Sequence, residues 1–294
     1  MTGTREALFY ERLVELGKGE QYQDYFGKSV SFAHGVGIVF MALAGITYEI
    51  HQMLPFWIGI GQFALAAIVI GTFQEAKKTV SVEKREGMSK LLLHFGPAFR
   101  DVIRQRSVLW VTVLYAFMVG IFFATADFQQ LILSDLGIAV SVIGFFYGAK
   151  RVIAVIASPY VKRFSKEHRV GQLFVLLALG MSMHILFTPL IANAYALAAT
   201  FLVGTLMFVV GSIAISDFSN RRIPNGSRST TISLQNLMRG VVQIAAIAGI
   251  GLLSKQFELD LVFTILGAVL LFVTILLAWP LLRSLSAERR AARA

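Results

Sequence analysis

Eight stretches of the chain are almost entirely apolar, and short polar segments separate them. Each is about 20 residues long or longer, the length an α-helix needs to cross the hydrocarbon core of a bilayer. The first ends at Glu49, the fourth contains Lys150 and Arg151, and the last has no charged residue. The pattern predicts an all-α integral membrane protein with about eight transmembrane helices, over residues 29–48, 54–73, 107–133, 140–161, 170–191, 194–217, 231–253 and 261–282.

Composition agrees with this pattern. Of the 294 residues, 56% are hydrophobic and 15% are charged, whereas soluble domains average about 25% charged residues. The chain has no cysteine, which excludes disulfides and thiolate metal sites. Glycines occur inside the apolar stretches, where small residues permit close helix packing. The expected packing positions are Gly35, Gly37, Gly59, Gly61, Gly249 and Gly251.

Lysine and arginine are distributed unevenly between the two sets of loops. The loops on one side hold four in residues 1–28, eight in 74–106, four in 162–169, three in 218–229 and four in 283–294. The loops on the other side hold a single one, Lys255. Basic residues concentrate in cytoplasmic loops, so both termini are predicted to be cytoplasmic. The formal charge of +10 is therefore an orientation signal, and we expect no nucleic-acid partner.

Residues 74–106 form the longest predicted cytoplasmic segment. Apolar side chains recur there at helical spacing beside basic ones, which favours an amphipathic helix at the membrane surface. A solvated linker with incidental apolar residues is the alternative. The apolar positions are Met88, Leu91, Leu92, Phe95 and Phe99.

Charged and amide side chains inside the third and fourth spans are the first candidates for function. Charge in the bilayer is costly, so such residues usually pair or line a water-filled cavity. Asp127 is expected to be buried beside the fourth span, with Lys150 or Arg151 as its nearest charge. It would be a protonatable or cation-binding group, or else part of a structural ion pair. Its neighbours Gln129 and Gln130 are further pathway candidates.

Gln235, Arg239 and Gln243 form a polar stripe on the seventh span. They are spaced by four residues, so they lie on one face of a helix. Exposure of this stripe to lipid would be costly, and we expect it to face the interior of the bundle. It would line a cavity or make hydrogen bonds between helices.

Three parts of the sequence carry a resemblance: residues 3–11, residues 221–224 with 228–234, and residues 137–144 with Ser158-Pro159. They resemble transporters of the major facilitator superfamily, in particular bacterial drug-efflux-like ones. Residues 3–11 resemble the segment that follows the fourth helix of that family. Residues 221–224 with 228–234 resemble the connection from its tenth to its eleventh helix. Residues 137–144, with Ser158-Pro159, resemble the turn into the eighth helix and that helix itself.

The resemblance implies that the eight spans correspond to helices five to twelve of a twelve-helix fold. The expected organisation is a cytoplasmic amphipathic segment (1–28), two helices of an incomplete N-terminal bundle (29–73), an inter-domain linker (74–106), a six-helix bundle (107–282) and a basic tail (283–294). The absence of four helices would reflect truncation, a late start codon or a genuinely shorter protein.

The family's cytoplasmic gating motif has a partial echo after the fourth span. The basic residues Lys162, Arg163 and Lys166 are present, but Ser158 stands where glycine is usual and Lys162 where an acid is usual. The charge lock that this motif forms in the family is therefore not expected in its usual form.

The resemblance implies secondary active transport of a small molecule by alternating access, coupled to a proton or an ion, with drug or metabolite efflux as one form. The alternative is a non-transporting membrane protein that assembles with or regulates a partner. No metal-ligand cluster, phosphate loop or nucleophile motif is present in the sequence, so we expect neither catalysis nor a cofactor. The expected partners are the lipid bilayer of a bacterial inner membrane, the substrate, the coupling ion, and a second copy or another polypeptide that completes the fold.

Overall fold

The computed structural model of the chain describes residues 16–18, 21–72, 105–161, 170–222 and 228–291. Within these ranges the chain is helical and contains no β-strand, as the sequence predicts. Their helices are α1 (Tyr22–Ile50), α2 (Leu54–Gly71), α3 (Arg106–Ala126), α4 (Gln129–Asp135), α5 (Val140–Ala157), α6 (Val170–Phe187), α7 (Ala194–Arg222), α8 (Arg228–Leu253) and α9 (Leu259–Ala291). Single 3₁₀ turns, Ser158–Tyr160 and Thr188–Leu190, follow α5 and α6.

Each predicted span coincides with a helix or, in one case, a pair of helices. Seven of the described segments are long and apolar enough to cross a membrane, and α3 with α4 counts as one of them. The apolar part of α1, Gly35–Ile50, is shorter. The prediction of a multi-pass all-α membrane protein is therefore confirmed.

The third span, predicted as continuous over 107–133, is broken between α3 and α4. The Thr125 hydroxyl donates to the carbonyls of Ile121 and Phe122 at 3.1 and 3.0 Å. The Phe128 amide bonds to the carbonyl of Thr125, three residues back rather than four. Bonds from Thr side chains to their own helix compete with the backbone ladder and bend helices, so the helix ends at Ala126.

Helix α4 ends in a glycine cap. The amide of Ile138 donates to the carbonyl of Leu133 at 3.0 Å, and the amide of Gly137 donates to the carbonyl of Ser134 at 2.9 Å. This pair of bonds is a Schellman motif and needs a left-handed residue. Gly137 supplies it, with φ of 83°.

The described chain divides into two compact units. The larger unit contains α3, α4, the end of α5 from Val152, and α6 to α9. Helix α3 lies at its centre and packs against α6, α7, α8 and α9. A Cβ on Gly120 of α3 would lie 2.8 Å from Val242 Cβ and 3.0 Å from the backbone oxygen of Arg239. The absence of a side chain at Gly120 therefore lets α8 approach closely.

The smaller unit contains α1, α2 and residues 139–151. The sequence assigned all of 140–161 to the C-terminal bundle, but the first half of α5 packs on α1. Gly45 of α1 lies against the backbone of Val140 and Ser141, and Gly144 of α5 lies against the Met41 carbonyl. The Glu49 carboxylate accepts a hydrogen bond of 2.9 Å from the backbone amide of Ser141, in the first turn of α5.

The packing role predicted for six glycines is confirmed only at Gly37. A Cβ at any of the other five would find no atom within 4 Å, because those positions face away from the described helices. Close packing in this chain instead uses glycines such as Gly45, Gly120 and Gly144. The predicted surface helix within 74–106 and most of the predicted segment 1–28 lie outside the described residues.

Candidate functional site

A buried polar cluster connects α3, α7 and α8 in the larger unit. The Gln235 amide nitrogen on α8 donates to Thr112 Oγ1 at 3.1 Å and to Ser219 Oγ at 2.8 Å. All three side chains are buried, and Gln235 is 6% exposed. The prediction that the polar stripe of α8 faces the bundle is therefore confirmed at Gln235.

Arg239 lies one turn further along α8 and also points toward α3. Its guanidinium carbon is 5.3 Å from the ring centroid of Phe123, and its Nε is buried with no hydrogen-bond partner among the described residues. Gln243, the third member of the stripe, is half-buried. Arg239 is thus a cation near the middle of a membrane helix, held by an aromatic ring.

The Phe123 ring beneath Arg239 belongs to a cluster of three aromatic rings. Phe123 is 5.0 Å from Phe208 and 5.8 Å from Phe122 between ring centroids, and Phe122 stacks on Phe208 at 5.6 Å. Such offset and edge-to-face pairs favour each other beyond their burial. The rings come from α3 and α7, so this part of the bundle presents both a cation and an aromatic surface.

A second arginine of the same unit, Arg222, has a carboxylate neighbour. Arg222, at the end of α7, lies 4.1 Å over the Phe218 ring. Its Nε also lies 3.6 Å from Glu288 Oε2. Both arginines lie over a phenylalanine ring, but among the described residues only Arg222 of the two also has a carboxylate neighbour, Glu288 of α9.

The structure corrects the expected environment of Asp127. The side chain was predicted to be buried, but it is exposed, because α3 ends at Ala126 and Asp127 occupies the junction with α4. Gln129 is buried at 1% exposure, whereas Gln130 is exposed. Asp127 belongs to the larger unit, and the two cations proposed as its partners belong to the smaller one. The pairing stays a prediction.

Lys150 and Arg151 are both half-buried on α5, but they have different neighbours. The Lys150 ammonium lies 5.4 and 4.9 Å from the ring centroids of Phe146 and Tyr147 on its own helix. Arg151 points at α1, where its Nε donates to Met41 Sδ at 3.1 Å. The gating-motif candidates Lys162, Arg163 and Lys166 lie outside the described residues.

Sequence reasoning did not single out Thr112, Ser219, Phe123 or Met41. Thr and Ser are common in apolar helices, where they bond to their own backbone, so they give no signal of a contact between helices. Met41 and Phe123 resemble any other apolar residue of a span. Their contacts appear only when the helices are packed.

A search of curated protein sequences gave no match. Among solved structures, the chain is similar to a bacterial homologue of the human lysosomal transporter Spinster, in an inward-facing and unoccupied conformation. The two are 16% identical, with a TM-score of 0.48 over 82% of this chain. The similarity spans 58% of the other chain. The sequence profile of the Major Facilitator Superfamily matches residues 18–247, and on this match the chain belongs to the Major Facilitator Superfamily.

Proposed function

We propose that this chain is the whole or the larger part of a secondary active transporter that moves a small molecule across a membrane by alternating access. The observation that carries the proposal is the family match over residues 18–247. Polar groups at the centre of apolar helices support it, because Gln235 and Arg239 point into the bundle rather than away from it. The similarity to a solved transporter spans 58% of that protein, so the activity is proposed for the assembled transporter.

In this proposal the α8 stripe of Gln235, Arg239 and Gln243 lines the substrate pathway. Asp127, with Gln129 and Gln130 beside it, binds the coupling proton or cation at the α3–α4 junction. A carboxylate there is exposed rather than packed among the described helices, and it changes charge on protonation, as coupling requires. Drug or metabolite efflux is one form of this proposed transport.

The test is proton flux in liposomes containing the purified chain. An imposed pH gradient should be discharged faster when a transported compound is added from a panel of cationic, neutral and anionic small molecules. Asp127→Asn should lower this flux at least about tenfold, since a lost catalytic or coupling proton costs that order, and should leave thermal unfolding unchanged. Asp135→Asn, an exposed carboxylate at the end of α4, is the matched control and should retain flux.

Two results would count against this function. Equal loss of folding and flux in Asp127→Asn would make Asp127 structural rather than coupling. Flux from no compound of the panel, together with a stably co-purifying membrane partner, would favour the non-transporting assembly or regulatory role.

We further propose that the protein lies in a bacterial inner membrane with both termini in the cytoplasm. The support is the concentration of lysine and arginine in alternate loops. Alkaline phosphatase, which is active only outside the cytoplasm, should be active when fused after Ser254 and inactive when fused to the C-terminus. Activity at the C-terminus would overturn this topology.

A further inference from the structure

Arg151 occupies a space that one glycine leaves open. Its Nη1 lies 2.9 Å, and its Cζ 3.2 Å, from the position that a Cβ on Gly37 would take. No residue other than glycine fits at position 37 without moving the guanidinium. The guanidinium of Arg151, on α5, therefore lies close to the α1 backbone at Gly37.

The hydrogen bond that Arg151 makes there is a weak one. Its Nε donates to the thioether sulfur of Met41 at 3.1 Å, and a thioether is a poor acceptor. A guanidinium carries five donors in a planar fork that matches a carboxylate or phosphate. Met41 holds the side chain in place, but it does not neutralise the positive charge.

A cavity of about 370 Å³ opens beside this guanidinium, within the unit formed by α1, α2 and residues 139–151. Its walls are mostly apolar, and no acidic residue is among those that line it. Ligand pockets in proteins have this character: about 300–1,000 Å³, largely apolar, with a few convergent polar groups. The lining includes Phe40, Leu43, Pro55, Ile58, Gln62 and Arg151.

We propose that this cavity binds an organic anion with an apolar body, and that the carboxylate, phosphate or sulfonate of the ligand pairs with Arg151. A positive charge among apolar walls is costly until an anion meets it, and a forked anion would satisfy several guanidinium donors at once. The apolar body of the ligand contacts the side chains of α1 and α2. This inference goes beyond the proposed function, since it concerns binding and holds whether or not the ligand is transported.

Lys150 provides a matched control on the same helix. It precedes Arg151 in sequence, carries the same charge and is also half-buried. However, its ammonium lies over the rings of Phe146 and Tyr147, and Lys150 does not line the cavity. Removing this charge changes the net charge of the protein equally and leaves the proposed site intact.

The experiment measures binding of 11-(dansylamino)undecanoic acid, and of its neutral primary amide, to the full chain in phosphatidylcholine nanodiscs. The acid should bind the wild-type chain at least about tenfold tighter than the amide, since hydrogen bonds between charged groups are worth that factor. Arg151→Gln should abolish this preference, while Lys150→Gln should keep it. Equal binding of acid and amide by the wild type, or equal losses in the two variants, would overturn the proposal.

A second pair of variants guards against misfolding of Arg151→Gln. Gly37→Leu should displace the guanidinium and lower acid binding. Gly35→Leu should leave it unchanged, because a Cβ at Gly35 meets no atom within 4 Å. Acid binding that survives in Gly37→Leu at the wild-type level would contradict the proposed geometry.

The same anion chemistry belongs to free organic acids and to the headgroups of anionic lipids. Replacing a third of the phosphatidylcholine by phosphatidylglycerol separates the two sources. Acid binding that weakens in the wild type identifies a lipid as the natural occupant, whereas unchanged binding identifies a free organic anion. Either result is consistent with Arg151 as the binding group. If phosphatidylglycerol weakens acid binding by a similar factor in Arg151→Gln, Arg151 is not the binding group.

Discussion

Helices α2 and α3 are almost equally apolar but have opposite surroundings. The mean hydropathy of their most apolar stretches is 1.9 and 2.2. None of that stretch is buried in α2, whereas 72% of it is buried in the segment of α3. Lipid is as apolar as leucine, so burial of apolar surface does not drive helices together in a membrane. Hydropathy thus decides which segments enter the bilayer, and shape and hydrogen bonding decide which of them pack.

The largest effect is expected from replacing one leucine in each helix. Leu114 of α3 is fully buried and Leu65 of α2 is 62% exposed. Leu114→Ala leaves a cavity and should lower the free energy of unfolding by about 3 kcal/mol. Leu65→Ala leaves no buried cavity, because the side chain is exposed, and should change it little. Unfolding by sodium dodecyl sulfate, followed by circular dichroism, measures both. Similar losses would mean that α2 is packed as tightly as α3.

A glycine pair tests close approach. Gly120→Leu places a side chain against Val242 and the backbone of Arg239, and overpacking of this kind should cost about 2 kcal/mol. Gly61→Leu on α2 meets no neighbour and should be neutral. The same unfolding titration compares them. A neutral Gly120→Leu would show that α8 can move away from α3 without loss.

The smallest expected effect comes from hydrogen bonding. Gln235→Leu removes two bonds, to Thr112 and Ser219, and should cost about 1 kcal/mol, in the range of polar contacts within membrane proteins. Gln62→Leu, at an exposed position of α2, should leave the free energy of unfolding unchanged or raise it. A double-mutant cycle of Gln235→Leu with Ser219→Ala would isolate that bond, and a coupling energy near zero would show that it contributes nothing.

The sequence predicts the helices well because each needs only its own composition to enter the bilayer. It predicts the site in part. The period of α8 places Gln235 and Arg239 on one face, and the structure turns that face toward α3. The prediction that Asp127 is buried is wrong because it assumed a continuous helix, whereas α3 ends one residue earlier, at Ala126. Thr125 is a signal of this helix end that is present in the sequence, because its hydroxyl bonds to the backbone of the last turn of α3.

The partner of Arg151 could not be predicted in the same way. Depth along the helices favours Asp127, but the structure puts Met41 and Gly37 of α1 beside the guanidinium. These residues lie more than 100 positions away in sequence and carry no charge. Only the packing of α1 on α5, which Gly45 and Gly144 permit, brings them to Arg151.

Helix α9 is longer than a membrane is thick. Its 33 residues extend about 50 Å at 1.5 Å per residue, against about 30 Å of hydrocarbon. The excess extends α9 beyond the hydrocarbon, past the internal Pro280, and Glu288 in this part contacts Arg222 of α7. A spin label or fluorophore near Ala291, the last residue of α9, would therefore report the orientation of this helix. The described end of α9 is therefore a position outside the hydrocarbon from which the tilt of this helix can be followed.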